Sequence, residues 1–376
     1  MHRASAQRED RLIDTGVLPY DAERICTALG GSASALADKT VLLTGSGGFL
    51  GRYIVYVIDH LNATRLLTRP CSLIGLDAIT ANQPARDALQ RPECAFFINH
   101  DLKLDIGLET RIDFAIHAAG IASPHWYQQY PLETIDVAVG GSRKVLEIAK
   151  RDGARYLFLS SSEVYQTATE VPTPESYVGA IPTTTARSSY DVSKAMGETL
   201  AYVYWQKFGL HTNTVRIFNS FGPGLRETDH RILPRLASAI KAGHPLCIFT
   251  PKALPRLDPE AFLPTRTYCY AANTVLGLFL ALLRGRAGEV YNIGVDTPEI
   301  NVAELCRRAA RVLARSVPYE LIESPAVYST EPMRRCPNIA KASTQLGYAP
   351  IVDINEGLRC FFDWALRTYT GLPEAT

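Results

Sequence analysis

A glycine-rich turn between an apolar strand and an apolar helix constrains this chain more than any other feature. The segment TVLLTGSGGFLG runs from Thr40 to Gly51, and the helix-like stretch RYIVYVIDHL follows it. Gly45, Gly48 and Gly51 have no Cβ atom, so the backbone can turn sharply and approach a ligand. The first N–H groups of the helix would then face a pyrophosphate. The pattern predicts a dinucleotide site, and a purely structural turn is the alternative.

An acidic residue follows the next apolar run along the chain. The run CSLIGLDAI places Asp77 at the end of a predicted strand. A carboxylate there accepts hydrogen bonds from the ribose hydroxyls of an adenosine and disfavours a 2′-phosphate. Because strand, glycine turn, helix and acid occur in this order, the dinucleotide hypothesis is stronger than the glycines alone would make it.

The composition bounds the class of protein. The chain has 376 residues, of which 47% are apolar and 20% charged, and its formal net charge is +1. This is enough for a large core and two lobes, and a near-neutral charge argues against binding nucleic acid through a basic face. No stretch is long and apolar enough for a transmembrane helix, and the polar start MHRASAQREDRLID lacks the core of a secretion signal. We therefore expect a cytoplasmic protein without nucleic-acid or membrane partners.

Cysteines and histidines show no metal-binding or disulfide pattern. The eight cysteines are scattered and none forms a C-x-x-C pair, which is typical of reduced residues in the cytoplasm. The closest histidines, His117 and His125, are eight residues apart and do not match the spacing of a zinc site. We therefore predict no metal.

Short apolar strands alternate with helical segments through the first half of the chain. Residues 1–37 form an N-terminal extension with a short helix near Asp21 to Leu29. Residues 38–220 predict a parallel sheet covered on both faces, an α/β Rossmann-type doubly wound fold. Residues 221–376 are richer in loops and proline and predict mainly a smaller substrate-binding lobe, with residues 267–294 returning to the first domain. Ligands are expected in the cleft, at the carboxyl ends of the strands.

A tyrosine and a lysine share one face of a predicted helix. Tyr190 and Lys194 lie four residues apart in SSYDVSKAMGETL. An ammonium near a phenol favours the phenolate and lowers its pKa from about 10 toward the range of a general base. The strand YLFLSSSEVY ends in Ser160, Ser161, Ser162 and Glu163, so a hydroxyl from this strand and the phenol could hold one alcohol together. A merely polar strand end is the alternative.

These segments resemble an extended short-chain dehydrogenase/reductase of the NAD-dependent epimerase/dehydratase family. The resemblance runs from about Lys39 to Leu366, on TGSGGFLG, NHDLK, HAAG, SSEVY, the Tyr190/Lys194 pair, RIFNSFGPG, PTRTYCY and VYNIG. Within that family the chain is most similar to the UDP-glucuronate decarboxylases. That similarity rests on HAAGIASPHWYQQYPLET, SSEVY, FGPGLRETDHRILPRL and MRRCPNIAKASTQLGYAP.

The resemblance implies NAD as the cofactor and assigns residues to it. The glycines hold the pyrophosphate, Asp77 holds the adenosine ribose, and the residue pair after the third strand lies beside the adenine. The implied cofactor-binding residues are Gly45, Gly48, Phe49, Leu50, Gly51, Asp77, Asp101, Leu102, His117, Ala118, Ala119, Gly120, Tyr190 and Lys194.

The resemblance also implies a nucleotide-diphosphate sugar, with a UDP-sugar favoured, and residues that act on it. Tyr190 is the base on the C4 hydroxyl, Lys194 holds the nicotinamide ribose, and Glu163 acts near C5. Arginine suits phosphate and carboxylate because its planar fork binds both in a bidentate manner. The implied catalytic residues are Tyr190, Lys194, Ser161, Ser162, Glu163 and Arg335. The implied substrate-binding residues are Ser123 and Pro124 of the Ser-Pro loop, His125, Asn219, Arg231, Arg266 and Arg335, the last beside the sugar carboxylate.

The implied chemistry proceeds through a 4-keto sugar. NAD⁺ takes hydride from C4 while Tyr190 takes the proton, the β-keto acid loses CO₂, and hydride returns to C4, giving UDP-xylose or a related product. Without a C5 carboxylate the same ketone permits 4-epimerisation or 4,6-dehydration, and these reactions are the alternatives. A non-catalytic NAD-binding regulator is a further alternative, although it would be expected to lack the intact Tyr190/Lys194 pair.

Four positions depart from the decarboxylase pattern. Gln166 replaces a glycine, Ala138 an asparagine, Asn273 an aspartate and Asn338 an aspartate, so either the substrate or only the packing differs. The resemblance also predicts a homodimer formed through a helix pair that includes the Tyr190 helix.

Overall fold

The apolar runs form a seven-stranded parallel sheet, which confirms the predicted Rossmann-type α/β class. The structure is a computed structural model that describes residues 16–78, 90–250, 258–323 and 332–371. The strands of the large sheet are β1 (Thr40–Thr44), β2 (Ser72–Asp77), β3 (Ala95–Asn99), β4 (Phe114–His117), β5 (Arg155–Ser161), β6 (Thr212–Ile217) and β11 (Val290–Ile293). Their order across the sheet is β11-β6-β5-β4-β1-β2-β3.

Both faces of this sheet are buried, as the nearly continuous apolar strands require. In β1, Val41 and Leu43 belong to one hydrophobic core, whereas Leu42 between them belongs to the core on the other face. Successive side chains of a strand point to opposite faces, so this alternation assigns the two cores to the two sides of the sheet. The chain order reverses between β1 and β4, and open α/β sheets bind ligands at such a switch point.

Eleven α-helices, counted over the described residues alone, cover the sheet and build the C-terminal part. They are α1 (Val17–Leu29), α2 (Phe49–Ala63), α3 (Pro124–Gln129), α4 (Pro131–Ile135), α5 (Gly141–Asp152), α6 (Ser188–Phe208), α7 (Ile232–Ala242), α8 (Ala271–Arg284), α9 (Val302–Leu313), α10 (Ala340–Leu346) and α11 (Ile354–Thr368). Within these described segments, every helix is too short or too polar to span a lipid bilayer.

After α3, the chain forms two helices joined by a π-helical turn. Tyr130 leaves the helical conformation, with φ −123° and ψ 62°, because Pro131 follows it, and α4 starts at that proline. The π turn at Asp136–Gly140 then leads into α5. π turns are rare and occur often near functional sites.

Short strands organise the C-terminal part into three small sheets. The pairs are β7 (Ser220–Phe221) with β10 (Cys269–Tyr270), and β8 (Leu246–Thr250) with β13 (Tyr319–Glu323). A third sheet has the order β12 (Ile300–Asn301), β9 (Thr265–Arg266) and β14 (Arg334–Arg335). Through β14, residues late in the chain come back beside the carboxyl ends of the large sheet.

The N-terminal helix α1 is packed onto the large domain. Leu18, Ala22, Ile25 and Leu29 recur at helical spacing and are buried, and α1 contacts both α2 and α8. Arg24 also donates to the Glu356 carboxylate at 2.6 Å.

Candidate active site

Gly45 and Gly51, in the turn after β1, have no space for a side chain. A Cβ atom on Gly51 would lie 2.0 Å from the carbonyl oxygen of Gly45, and one on Gly45 would lie 2.8 Å from the Ala119 Cα atom. Gly45 also has a φ of 72°, which L side chains rarely adopt. The turn therefore packs closely against the start of α2, whose first N–H groups are available to an anion.

Asp77 lies beside this turn at the end of β2. Its Oδ2 atom accepts a hydrogen bond from the N–H of Gly47 at 2.9 Å, which fixes the carboxylate next to the glycines. A side-chain-free cradle, a helix N-terminus and an adjacent carboxylate are the features that a dinucleotide such as NAD requires. The residues present therefore fit this cofactor.

The HAAG segment supports the turn from the neighbouring strand. His117 at the end of β4 is fully buried, and its Nδ1 atom lies 2.7 Å from the Thr44 hydroxyl. Burial, assisted by the charge of Lys194, lowers the pKa of His117 to about 3, so its imidazole is neutral. Ala119 donates from its backbone N–H to the same Thr44 hydroxyl at 3.3 Å.

A cavity of about 560 Å³ extends from the glycine turn to Tyr190. It lies at the carboxyl ends of β1, β4 and β5, as the strand order predicts. Sixteen of the predicted site residues line it, namely Gly45, Gly48, Phe49, Leu50, Gly51, Ala118, Gly120, Ser123, Pro124, Ser161, Ser162, Glu163, Tyr190, Lys194, Asn219 and Arg231. The others do not lie on its wall, namely Asp77, Asp101, Leu102, His117, Ala119, His125, Arg266 and Arg335.

Tyr190 and Lys194 lie at the end of the cavity opposite the turn, on α6. The Tyr190 ring stacks on the Tyr127 ring at a centroid distance of 5.0 Å. The Lys194 ammonium lies 5.7 Å from the Tyr190 ring centroid and donates to the carbonyl of Leu159 at 2.7 Å. Ser161, the last residue of β5, is hydrogen-bonded to the Tyr190 phenol. The phenol, the hydroxyl and the ammonium thus come together.

The prediction that the pKa of Tyr190 is lowered is wrong when only the groups of the protein act on the phenol. Burial raises the pKa of Tyr190 to about 12, and the hydrogen bond from Ser161 only partly opposes it. Burial also lowers the pKa of Lys194 to about 8. Spacing along a helix shows that two groups share a face, whereas burial depends on the whole fold. A phenolate therefore needs additional positive charge at this end of the cavity.

Glu163 lies between two arginines immediately after Ser162. Its carboxylate pairs with Arg187 Nη2 at 2.5 Å and with Arg335 Nη1 on the other side. Burial alone would raise the pKa of Glu163, but Arg335 and Arg187 outweigh it and hold the pKa at about 2. Glu163 is therefore ionised at every physiological pH.

Arg335 does not face the cavity, contrary to the expectation that it lies against the sugar. Its side chain is 7% exposed and lies behind Glu163, because β14 approaches from the far side of that carboxylate. Arg187 lines the cavity instead, and the sequence reasoning missed it. Its position three residues before Tyr190, at the start of the same helix, is the signal that could have found it.

Of three further predicted substrate residues, one lines the cavity wall and two lie away from it. Arg231 lines the cavity and pairs with Asp229 at 2.5 Å. Arg266 instead donates to the carbonyl of Thr265 at 2.8 Å, which keeps its guanidinium on the β9 backbone. The His125 ring packs against the His230 ring at 4.3 Å, away from the wall.

The predicted adenine neighbours lie outside the cavity wall. Asp101 accepts a hydrogen bond from the Lys103 N–H at 2.9 Å, which lowers its pKa below the ordinary value. Leu102 is buried in the core beneath α5. Neither residue contacts the space between the glycine turn and Tyr190.

Two of the four departures from the decarboxylase pattern stabilise backbone rather than line the cavity. Asn273 donates to the carbonyl of Val352 at 2.8 Å and accepts from two N–H groups of the same segment. Asn338 accepts from the N–H of Ala340 at the start of α10. Ala138 is buried within the π turn.

Comparisons with known proteins identify the family of this chain. The family model "NAD dependent epimerase/dehydratase family" matches residues 41–294. UDP-glucuronic acid decarboxylase 3 of Arabidopsis thaliana is 30% identical over 85% of this chain and 87% of its own length. UDP-glucuronic acid decarboxylase 1 of Xenopus tropicalis is 28% identical over 85% of this chain and 70% of its own length.

Solved structures share the fold. UDP-glucose 4-epimerase of Thermotoga maritima has a TM-score of 0.73 at 22% identity, covering 88% of this chain and 99% of its own. UDP-glucuronic acid 4-epimerase of Bacillus cereus, solved with NAD, has a TM-score of 0.71 at 22% identity, covering 88% of this chain and 100% of its own. The chain belongs to the NAD dependent epimerase/dehydratase family. It is an enzyme of that family, and its cofactor is NAD.

Proposed function

We propose that the protein decarboxylates UDP-glucuronate through a 4-keto intermediate. The observation that carries this proposal is the cation-flanked carboxylate Glu163 on the cavity wall beside the phenol of Tyr190. The names of the curated relatives support the same reaction.

Each residue has a task that its position allows. Tyr190 takes the proton of the C4 hydroxyl, and Ser161 holds the same oxygen. Lys194 keeps positive charge near the phenol. Bound NAD supplies the hydride acceptor and later the hydride donor at C4. Arg231, on the wall near Tyr190, suits the diphosphate of the sugar nucleotide.

The ketone makes loss of CO₂ possible without further machinery. With C4 oxidised, the carboxyl carbon is β to a carbonyl, so the electrons of the broken C–C bond form an enolate. Tyr190 and Ser161 remain beside the enolate oxygen and stabilise it. C5 then takes a proton, which restores the C4 ketone before hydride returns to C4. Glu163 lies on the wall beside Tyr190, and this position puts it near C5, where the carboxylate leaves as neutral CO₂.

Incubation of the protein with UDP-glucuronate and NAD tests the proposal. We expect release of CO₂ and a UDP-pentose whose mass is lower by that of CO₂. Tyr190→Phe is the matched control, since it removes the phenolic oxygen and keeps the ring that stacks on Tyr127. No release of CO₂ by the unsubstituted protein would contradict the proposal.

Epimerisation at C4 or 4,6-dehydration is the second candidate. The observation that favours it is Arg335, which a decarboxylase-like site would place against the sugar but which is buried behind Glu163. Mass spectrometry of the product separates the reactions: epimerisation leaves the mass unchanged, and dehydration removes the mass of water.

We also propose that the protein is a homodimer. Large apolar side chains are exposed on neighbouring faces of α4 and α6, which contact each other. Leu132, Tyr202 and Met196 are 70%, 54% and 43% exposed, respectively. An exposed apolar patch on two packed helices is typical of a protein–protein interface.

A further inference from the structure

Five partly or fully buried side chains form a polar group at the Tyr190 end of the cavity, which we call the Glu163 cluster. Its members are Glu163, Gln166, Arg187, Asp191 and Arg335. Arg187 pairs with Glu163 at 2.5 Å through Nη2, and its Nε atom lies 3.7 Å from Asp191 Oδ2. Gln166 donates to that same Asp191 oxygen at 2.7 Å. The contacts therefore run in one chain from Gln166 through Asp191 and Arg187 to Glu163.

Arg187 is the member of the cluster whose positive charge a ligand meets first. Glu163 and Arg187 line the cavity, whereas Asp191, Gln166 and Arg335 lie behind them. Because Glu163 is a carboxylate, it would repel an acidic ligand group, whereas the Arg187 guanidinium that pairs with it on the same wall would attract one. A guanidinium binds a carboxylate with two parallel hydrogen bonds.

The backbone fixes Arg187 relative to the catalytic phenol. The N–H groups of Tyr190 and Asp191 donate to the carbonyl of Arg187 at 3.0 and 3.1 Å, so all three residues share the first turn of α6. One helical turn spans about 5.4 Å. In a hexuronate the carboxylate is attached to C5, next to C4. A sugar whose C4 oxygen contacts Tyr190 therefore has its acidic group within reach of Arg187.

Asp191 and Gln166 hold Arg187 in this position. Asp191 is fully buried and lies on the same helical face as Arg187, four residues further on. Gln166 has a φ of 52°, a conformation that favours glycine, and the resemblance predicts a glycine here. Its side chain donates both to Asp191 and to the carbonyl of Glu163 at 2.9 Å. A glycine would relieve the strain but could make neither bond, and strain kept at a site points to a role there.

We propose that Arg187 selects sugar nucleotides with an acidic group at C5, and that Gln166, acting through Asp191, is its positioning residue. The inference rests on the proposed function for the substrate class. It assigns recognition of the acidic group to Arg187, whereas the resemblance implied Arg335 for that role.

Calorimetric titration of NAD-loaded protein with UDP-glucuronate and with UDP-glucose tests the inference. All proteins carry Tyr190→Phe, so neither sugar turns over. We expect Arg187→Met to weaken UDP-glucuronate binding about 10-fold to 100-fold, the range for hydrogen bonds to a charged group. Binding of UDP-glucose should change less than about threefold, because it lacks the carboxylate. Arg187→Lys should retain part of the preference, since it keeps the charge without the fork.

Two further variants distinguish positioning from a general structural effect. Gln166→Gly should reduce the preference for UDP-glucuronate about 3-fold to 10-fold without lowering the midpoint of thermal unfolding, because it also relieves strain. Arg359→Met, on the exposed face of α11, is the control for loss of an arginine and should leave both affinities unchanged.

Specific results would overturn the inference. One such result is that Arg187→Met leaves the preference for the acidic sugar unchanged. Another is that Arg187→Met weakens the binding of both sugars equally. An equal loss for both sugars in Gln166→Gly, with a lower unfolding midpoint, would show a structural role only. Release of CO₂ by protein with Tyr190 intact tests the proposed function separately, so the two failures are distinguishable.

Discussion

Replacement of the buried acid Asp21 should change how the stability of the protein depends on pH. Asp21 on α1 is 0% exposed, and the hydroxyl of Tyr270 donates to it at 2.7 Å. Burial raises its pKa to about 7, against the smaller opposing effects of Tyr270 and Arg24. This carboxyl group connects the N-terminal helix to the core through its hydrogen bond with Tyr270. To do so it must either bind a proton or remain as a buried negative charge.

The sign and size of the effect follow from the two pKa values. The folded-state pKa of about 7 lies above the ordinary aspartate pKa of 3.8, so the native state binds the proton more tightly. The stability that Asp21 contributes is fully present below pH 3.8 and is lost as pH rises through about 7. Each pKa unit corresponds to about 1.4 kcal/mol, so the whole loss is on the order of 4 kcal/mol. Asp21→Asn keeps the shape and removes this dependence.

Urea unfolding of the wild type and of Asp21→Asn between pH 5 and pH 8 measures the effect. The free energy of unfolding of the variant, relative to the wild type, should increase by roughly 1.4 kcal/mol per pH unit up to about pH 7 and then level off. Asp363→Asn, on the exposed face of α11, controls for the chemical change itself. A difference between Asp21→Asn and the wild type that stays constant across this range would refute the reasoning.

Three further predictions concern the cofactor site, the base and the assembly. Gly51→Ala places a Cβ atom 2.0 Å from the Gly45 carbonyl oxygen, so purified protein should retain little NAD, whereas Gly107→Ala, with nothing within 4 Å, should retain it all. Retention of NAD by Gly51→Ala would contradict the packing argument. Tyr190→Phe should lower kcat by about 10²-fold to 10⁴-fold while binding of the sugar nucleotide changes little, as kinetics and calorimetry would show. Tyr202→Lys on α6 should shift the protein from dimer to monomer in sedimentation velocity. A wild-type protein that sediments as a monomer would contradict the proposed homodimer.

Features that depend on residues close together in the sequence were predictable from the sequence alone. The β1 strand, the glycine turn and α2 follow from local apolar pattern and backbone freedom. The parallel sheet follows because strands that are apolar on both faces need cover on both. Within the cavity, Ser161 and Tyr190 meet because each lies at an element end that this topology brings to the same edge.

Features that depend on long-range packing were not predictable in the same way. Arg335 was expected against the sugar, but its approach through β14 places it behind Glu163, and no local pattern shows that direction. The pKa of Tyr190 moves opposite to the expectation because burial outweighs the hydrogen bond to Ser161 and the charge of Arg231. Gln166 was visible only as a departure, and its φ of 52° and its bond to Asp191 required the structure.

The central claim is that Tyr190 permits oxidation at C4 before the carboxylate at C5 is lost. UDP-glucuronate carrying deuterium at C4 tests this order directly, with the product analysed by mass spectrometry. The account predicts a UDP-pentose that has lost CO₂ and still carries the deuterium, because the hydride removed from C4 returns to it. A product that keeps its carboxylate, or a UDP-pentose in which the deuterium is replaced by solvent hydrogen, would contradict it.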